Sequence, residues 1–206
     1  MPAASPVRLA IFASGRGSNA MAIIGASRSG RIPLVDPVLV VCDREGAPVL
    51  DLARNEGVDA ELFSPRFFGS KEAYEAAVLT RLRDKGVTAI ALAGYMRLVG
   101  PVLIEAFPER ILNIHPSLLP AFPGLDAQGQ ALAYGVRVTG VTVHFVDLLM
   151  DHGPVVLQRS VPVLPDDTRE TLGSRLLPVE HDAYVDALAA FSSGRLRISG
   201  RHVHWM

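Results

Sequence analysis

The sequence predicts an α/β protein built on an open, doubly wound, mostly parallel sheet, with an antiparallel strand pair in its C-terminal part. Three observations carry this. Short apolar runs alternate with helical stretches as far as residue 115. Gly and Pro fall between these runs, where elements end. Beyond residue 124, two apolar runs follow one another across a short loop, which pairs strands antiparallel.

Val7 to Ala13 reads as a buried strand broken only by Arg8. Ser14-Gly15-Arg16-Gly17-Ser18-Asn19 follows, then a helix from Ala20 to Ala26. Small residues let backbone N–H groups converge at a helix start, where the dipole favours an anion. This strand–loop–helix is therefore either a phosphate site or a tight turn with Asn19 or Ser18 as helix cap. Val38 to Cys42 reads as the second strand, ending at Asp43, and Ala47 to Glu56 as a helix with Pro48 in its first turn. Ala60 to Phe63 is a third strand, and Ser70 caps a helix running to about Lys85. Thr88 to Ala93 is a fourth strand, ending in the apolar loop Gly94-Tyr95-Met96-Arg97-Leu98-Val99. A short helix, Pro101 to Ala106, precedes Ile111-Leu112-Asn113-Ile114-His115-Pro116.

That last run is apolar and β-favouring, yet it carries Asn113 and His115. Two apart on an extended chain, they point the same way, and Pro116 holds His115 extended. Ligands of open α/β sheets bind at the carboxyl ends of strands. An amide there can donate to a developing oxyanion, and an imidazole can exchange a proton near neutral pH.

Ala127 to Tyr134 then reads as a helix. Val138 to Val146 alternates, with Val141, Val143 and Phe145 on one side and Thr142 and His144 on the other. Asp147 to Gly153 is a loop, and Val155 to Val163 a strand. Asp167 and Glu170 suggest a capping box for a helix to about Ser193, which Pro178 must kink or split. Arg195 to Ile198 and His202 to Trp205 suggest a terminal hairpin.

The chain has 206 residues, enough for one domain with a sizeable core, and a formal net charge of -1. There is no basic excess to mark a nucleic-acid partner. Cys42 is the single cysteine, which rules out an intrachain disulfide and a cysteine metal cluster. The six histidines show no HExxH spacing, so no metal is expected. No apolar run reaches a membrane-spanning length of about 20 residues, and Met1 to Pro6 lacks the pattern of a signal peptide. The reading is a cytoplasmic protein acting on small molecules, with no membrane partner, as a monomer or homodimer.

Gly15-Arg16-Gly17-Ser18-Asn19-Ala20 also fits a relaxed dinucleotide pattern, with Asp43 where a ribose-binding acid would stand. An NAD-dependent dehydrogenase is therefore an alternative, although it leaves Asn113, His115 and Asp151 without roles.

Five motifs occur in order: Gly17-Ser18-Asn19, Ala93-Gly94-Tyr95-Met96-Arg97, Asn113-Ile114-His115-Pro116-Ser117-Leu118-Leu119-Pro120, Thr142-Val143-His144-Phe145-Val146 and Asp151-His152-Gly153-Pro154. With them the chain resembles the phosphoribosylglycinamide formyltransferases, over nearly its whole length. The resemblance implies a Rossmann-like formyltransferase fold, in a single domain of residues 1–206. Residues 1–110 would be the phosphate-binding half, and 111–206 the catalytic and folate-binding half. It implies formyl transfer from 10-formyltetrahydrofolate, as co-substrate, to the glycinamide amine in purine biosynthesis, with neither metal nor nicotinamide.

By position, Asn113, His115 and Asp151 match the catalytic residues. Gly17, Ser18, Asn19, Ala20, Met21 and Glu180 match contacts to glycinamide ribonucleotide. Lys71, Met96, Arg97, Leu98, Val99, Asn113, Asp147 and Met150 match the folate site. A carboxylate at Asp151 is expected to favour charged His115. The chain departs from the resemblance at Asp126-Ala127-Gln128-Gly129, where relatives often carry His or Arg and where Gly129 weakens a helix. Two rival functions remain beside the transferase: a formyltetrahydrofolate hydrolase, and a folate- or nucleotide-binding module without catalysis.

Overall fold

Val7–Ala13 forms β1 in the computed structural model, which describes residues 5–206. The reading of the first residues as something other than a signal peptide falls in part on residues 1–4, outside that range. The described chain divides into two compact units, one ending at Leu112 and the other beginning at Asn113.

The first unit alternates strand and helix. After β1 come α1 (Ser18–Arg28), β2 (Val35–Cys42), α2 (Pro48–Asn55), β3 (Asp59–Leu62), α3 (Lys71–Asp84), β4 (Ala89–Leu92) and α4 (Pro101–Ala106). Its strands lie in the order β3-β2-β1-β4, all parallel. Leu9 to Ala13, Leu39 to Cys42 and Ala89 to Ala91 are wholly buried. Both faces of this sheet are covered, as continuous apolar strands require.

β2 starts three residues before the expected Val38. Pro37 pairs with Leu9 and Leu39 with Ala10, so Val38 is the extra residue of a bulge. A proline has no ladder donor, and a bulge is where a sheet accommodates one. Ser70 caps α3 as expected, its Oγ accepting from the Ala73 N–H at 3.1 Å. A short 3₁₀ turn, Pro65–Phe67, was not foreseen.

The second unit opens inside β5 (Ile111–His115) and continues with α5 (Ala127–Tyr134), β6 (Val138–Phe145), β7 (Val155–Pro162), α6 (Arg169–Ser192), β8 (Leu196–Ser199) and β9 (His202–Trp205). Its strand order is β5-β6-β7-β9-β8. β6 and β7 are antiparallel, as are β8 and β9 across the terminal hairpin.

α6 differs from expectation at two points. Its cap is Thr168, not Asp167. The Thr168 hydroxyl accepts from the Thr171 N–H at 3.3 Å, and the Thr171 hydroxyl accepts from the Thr168 N–H at 2.9 Å. Asp167 turns instead to the Leu164 N–H at 2.7 Å, which puts it outside the helix. Pro178 does not split the helix, which runs unbroken through it. Pro178 and Ser174, the residue whose carbonyl a proline deprives of its donor, both face solvent. Leu172, Leu176, Tyr184 and Leu188 meanwhile bury the other face.

Candidate functional site

β5 delivers two polar side chains to one place. Ile111, Leu112 and Ile114 anchor it in the core, while Asn113 is half-buried and His115 only 5% exposed. The His115 ring donates from Nε2 to the Phe122 carbonyl at 2.8 Å, since a carbonyl can only accept. Its other nitrogen, Nδ1, faces the Asp151 carboxylate at 3.4 Å.

The partner loop is held on β6 by one buried residue, Thr142. Its hydroxyl donates to the Ser117 carbonyl at 2.6 Å and accepts from the Leu119 N–H at 3.0 Å and from Gln158 at 3.0 Å. Gln158 also reaches the Leu119 carbonyl at 2.8 Å. The proline-rich loop that ends in Phe122 is thereby fixed, and with it the His115 ring.

Asp151 comes from the loop after β6. It adopts a left-handed backbone, φ 51°, which Asp tolerates better than most residues. Gly153 then passes so close to the strand end that a Cβ would lie 1.9 Å from the Phe145 carbonyl oxygen. Only glycine fits there, which accounts for its place in Asp-His-Gly-Pro. Asp151 accepts the Gly124 N–H at 2.7 Å, and its other oxygen stands 3.5 Å from the Asn113 amide nitrogen.

His144 is the member that sequence reasoning did not assign. It is 2% exposed on β6. Its Nδ1–H donates to the Phe145 carbonyl at 2.8 Å, so the neutral ring has a bare Nε2. That Nε2 accepts from the Asn113 amide at 3.1 Å. His144 thus sets which way the Asn113 amide faces. The signal was its place opposite Val143 and Phe145, on the face shared with Thr142.

Asp151 favours the charged form of His115, as expected, but does not decide the balance. Burial pulls the His115 pKa below its usual value, aided by His144, and outweighs the Phe122 carbonyl and Asp151, which act the other way. His115 is neutral near pH 7, not charged; the penalty for burying an imidazolium exceeds the attraction of the carboxylate. For Asp151, burial alone would raise the pKa. The neighbouring His144 and His115 imidazoles and the Gly124 N–H reverse this and hold the carboxyl below its ordinary range. His144 Nε2 stands 3.7 Å from Asp151, beyond hydrogen-bond length, and as the acceptor of the Asn113 amide it has no proton to give, so the Gly124 N–H is the donor that holds the carboxylate.

The other expected residues of this unit are more scattered. Asp147 is tied within its own loop, to the Leu149 N–H at 3.0 Å and to His152 at 2.8 Å. Met150 is 52% exposed with its terminal methyl beside Gly124. Glu180 is half-buried on α6. Asp126 caps α5, accepting from the Gly129 N–H at 3.3 Å and pairing with Arg169 at 2.6 Å, so the divergent segment is an ordered helix start.

In the first unit the glycine loop ends at Gly17, which is itself the cap of α1 with φ 81° and no side-chain cap bond. The expectation that Ser18 or Asn19 caps this helix is corrected, because both already lie in its first turn. A Cβ on Gly17 would fall 2.5 Å from Val49 Cγ2, so the loop lies directly on α2. Ser18, Asn19 and Ala20 follow in the first turn of the helix, where backbone N–H groups have no acceptor one turn back, whereas the Met21 N–H already donates to the Gly17 carbonyl at 2.8 Å. Lys71 opens α3, exposed, and Met96, Arg97 and Leu98 are exposed at the end of β4, with Val99 buried behind them. Among the described residues no group of three or more His, Cys, Asp or Glu is placed to hold a metal ion. No described helix is long and apolar enough to cross a membrane.

Comparison with known proteins adds family context. Residues 7–188 match the formyl transferase family. The chain is 44% identical over 177 residues to a phosphoribosylglycinamide formyltransferase of Bacillus subtilis (strain 168), covering 86% of this chain and 90% of that protein. The structure of glycinamide ribonucleotide transformylase 1 from Symbiobacterium toebii superposes with a TM-score of 0.96 at 50% identity, covering 98% of this chain and 94% of that one. A trifunctional purine biosynthetic protein, adenosine-3, of Drosophila melanogaster is 40% identical over 193 residues, but this chain spans 14% of its length.

Proposed function

The chain belongs to the formyl transferase family, and from that premise we infer that it transfers a formyl group to the amine of phosphoribosylglycinamide in purine biosynthesis. The observation that carries the chemistry is the cluster of Asn113, His115, His144 and Asp151, buried or half-buried at the end of β5. We propose 10-formyltetrahydrofolate as the donor, since the apolar Met96 to Val99 loop suits a flat ring with backbone contacts.

The substrate amine attacks the formyl carbon, and the carbonyl oxygen becomes an oxyanion. Asn113 keeps one amide hydrogen on His144, and its second, which faces Asp151 only across a long 3.5 Å, donates to that oxygen. Neutral His115 has a bare Nδ1, because Nε2 is committed to Phe122. Nδ1 takes the proton leaving the attacking nitrogen, directly or through water. The imidazolium so formed faces Asp151, whose charge stabilises it. The proton then passes to the departing folate nitrogen, and His115 returns to its neutral state.

In the same proposal Gly17 to Met21 take the ribonucleotide phosphate, supported by outward N–H groups at the start of α1, and Glu180 contacts the glycinamide. Lys71, Met96 to Val99, Asn113, Asp147 and Met150 take the folate. A cytoplasmic location and a monomeric or homodimeric state complete the proposal, supported by the sequence alone. Tracing the formyl carbon tests the chemistry. With isotopically labelled 10-formyltetrahydrofolate, the label must appear on the ribonucleotide, seen as a mass increment of the product. Label released only as formate contradicts the proposal.

A further inference from the structure

The Met96 to Val99 loop is pinned at its two ends by buried side chains from other elements. At its start the Met96 N–H donates to the Ser14 hydroxyl at 2.9 Å, and the Ser14 N–H donates to the Gly94 carbonyl at 3.1 Å. Ser14 is 3% exposed and directly follows β1. At its end the Gly100 N–H donates to the Glu75 carboxylate at 2.5 Å, and Glu75, on α3, is 2% exposed. The fit around Gly100 is close: a Cβ there would lie 2.8 Å from both Glu75 oxygens and 2.8 Å from Lys71 Cε. A third contact holds the middle, where the Arg97 guanidinium lies 5.7 Å over the Tyr74 ring. Tyr74 in turn bonds Tyr95, hydroxyl to hydroxyl, at 2.7 Å.

Between the pins the main chain is left open. Among the described residues the backbone N–H groups of Arg97, Leu98 and Val99 make no hydrogen bond, while Met96 and Leu98 are 51% and 60% exposed. A loop that recognises a ligand through its own backbone must hold its shape before the ligand arrives, or binding is weakened by the cost of ordering it. Charged and hydroxyl groups buried this deeply persist only where they are hydrogen-bonded. Here the bonds they make are to this loop's two ends.

We propose that Ser14 and Glu75 are positioning residues for the folate, setting the loop's shape without touching either substrate. This rests on the reading of Met96 to Val99 as the folate loop. It differs from that reading in assigning affinity to two residues outside the loop. Each bond is buried, so its loss is expected to weaken folate binding about tenfold.

The test is steady-state kinetics of the purified protein with both substrates varied. Ser14→Ala and Glu75→Ala are expected to raise the Michaelis constant for 10-formyltetrahydrofolate about tenfold. That for the ribonucleotide should stay within about twofold, since the pins bear on one substrate only. Glu75→Gln keeps an acceptor oxygen for Gly100 and should recover most of the loss. Amide hydrogen exchange at Met96 and Gly100 provides a second reading in any variant that folds, and should speed up where the pin is removed. Leu98→Asp, in the loop itself, separates the two claims. If it raises the folate constant while Ser14→Ala and Glu75→Ala do not, the pins are overturned and the folate loop stands. If none of the three raises it, the folate assignment fails and the pins fail with it.

Discussion

The glycine loop of the first unit and the polar cluster of the second handle their tasks by different physical means. The loop offers main chain: Gly17 at φ 81°, lying on Val49, and a helix start whose N–H groups point outward. The cluster offers side chains from three separate stretches, at Asn113 and His115, at His144 and at Asp151, aimed by Phe122, Phe145 and Gly124. A backbone site depends on the absence of side chains and is uncharged. A side-chain site depends on protonation and on neighbours far away in sequence. Damage to the first should therefore appear as lost binding, and damage to the second as lost turnover.

The largest expected effect lies in the cluster. His115→Ala, Asn113→Ala and Asp151→Asn should each lower kcat roughly a hundredfold or more, as removal of an oxyanion donor does. Unchanged circular-dichroism spectra would show that the fold is kept. Near-normal turnover of Asp151→Asn would remove Asp151 from the mechanism. Next comes Gly17→Ala, which forces a side chain into a left-handed position against the Val49 side chain. It should raise the Michaelis constant for the ribonucleotide well above its effect on the folate constant. A drop confined to kcat would blur the division between the two regions.

The pH dependence sharpens the contrast from the side of charge. The folded pKa of His115 is lowered, so its neutral form is the reactive one and activity should fall as pH drops through that lowered value, below about 6.5. If the imidazolium were the resting form, activity would instead fall as pH rises. Stability moves the same way as the first case. The unfolded His115 binds its proton more readily than the folded one, so stability is full above about 6.5 and is lost as pH falls towards the folded value. Asp151, also lowered, adds a further loss only below its ordinary range near 3.8. Thermal melts between pH 7 and 5 should show the His115 loss, and His115→Gln should reduce it, leaving the part due to His181, whose pKa burial also lowers.

The two regions were also unequally legible. The glycine loop announced itself in consecutive residues, yet its helix cap was misplaced, because Gly17 takes the cap position that Ser18 and Asn19 usually fill. Elements bounded by strong local signals, such as α5 between Asp126 and Gly135 or the strand Val7–Ala13, match their expected limits. Asn113, His115 and Asp151 were legible as a set through resemblance. The charge of His115 was not, because burial is a property of the packed chain and it outweighs a carboxylate 3.4 Å away. The orienting bond from His144 to Asn113 was not legible either, since nothing in sequence brings positions 31 residues apart into contact. Pro178 misled for a local reason: its penalty falls on a solvent-facing turn of a helix held by its other face.

The most direct test of transfer is the rate of 10-formyltetrahydrofolate consumption with and without the ribonucleotide. A transferase gains much of its rate by positioning two reactants together. Consumption should be slow alone and rise steeply when phosphoribosylglycinamide is added, with one formylated product for each folate consumed. Equal rates in the presence and absence of the amine, with formate as the product, would contradict the account.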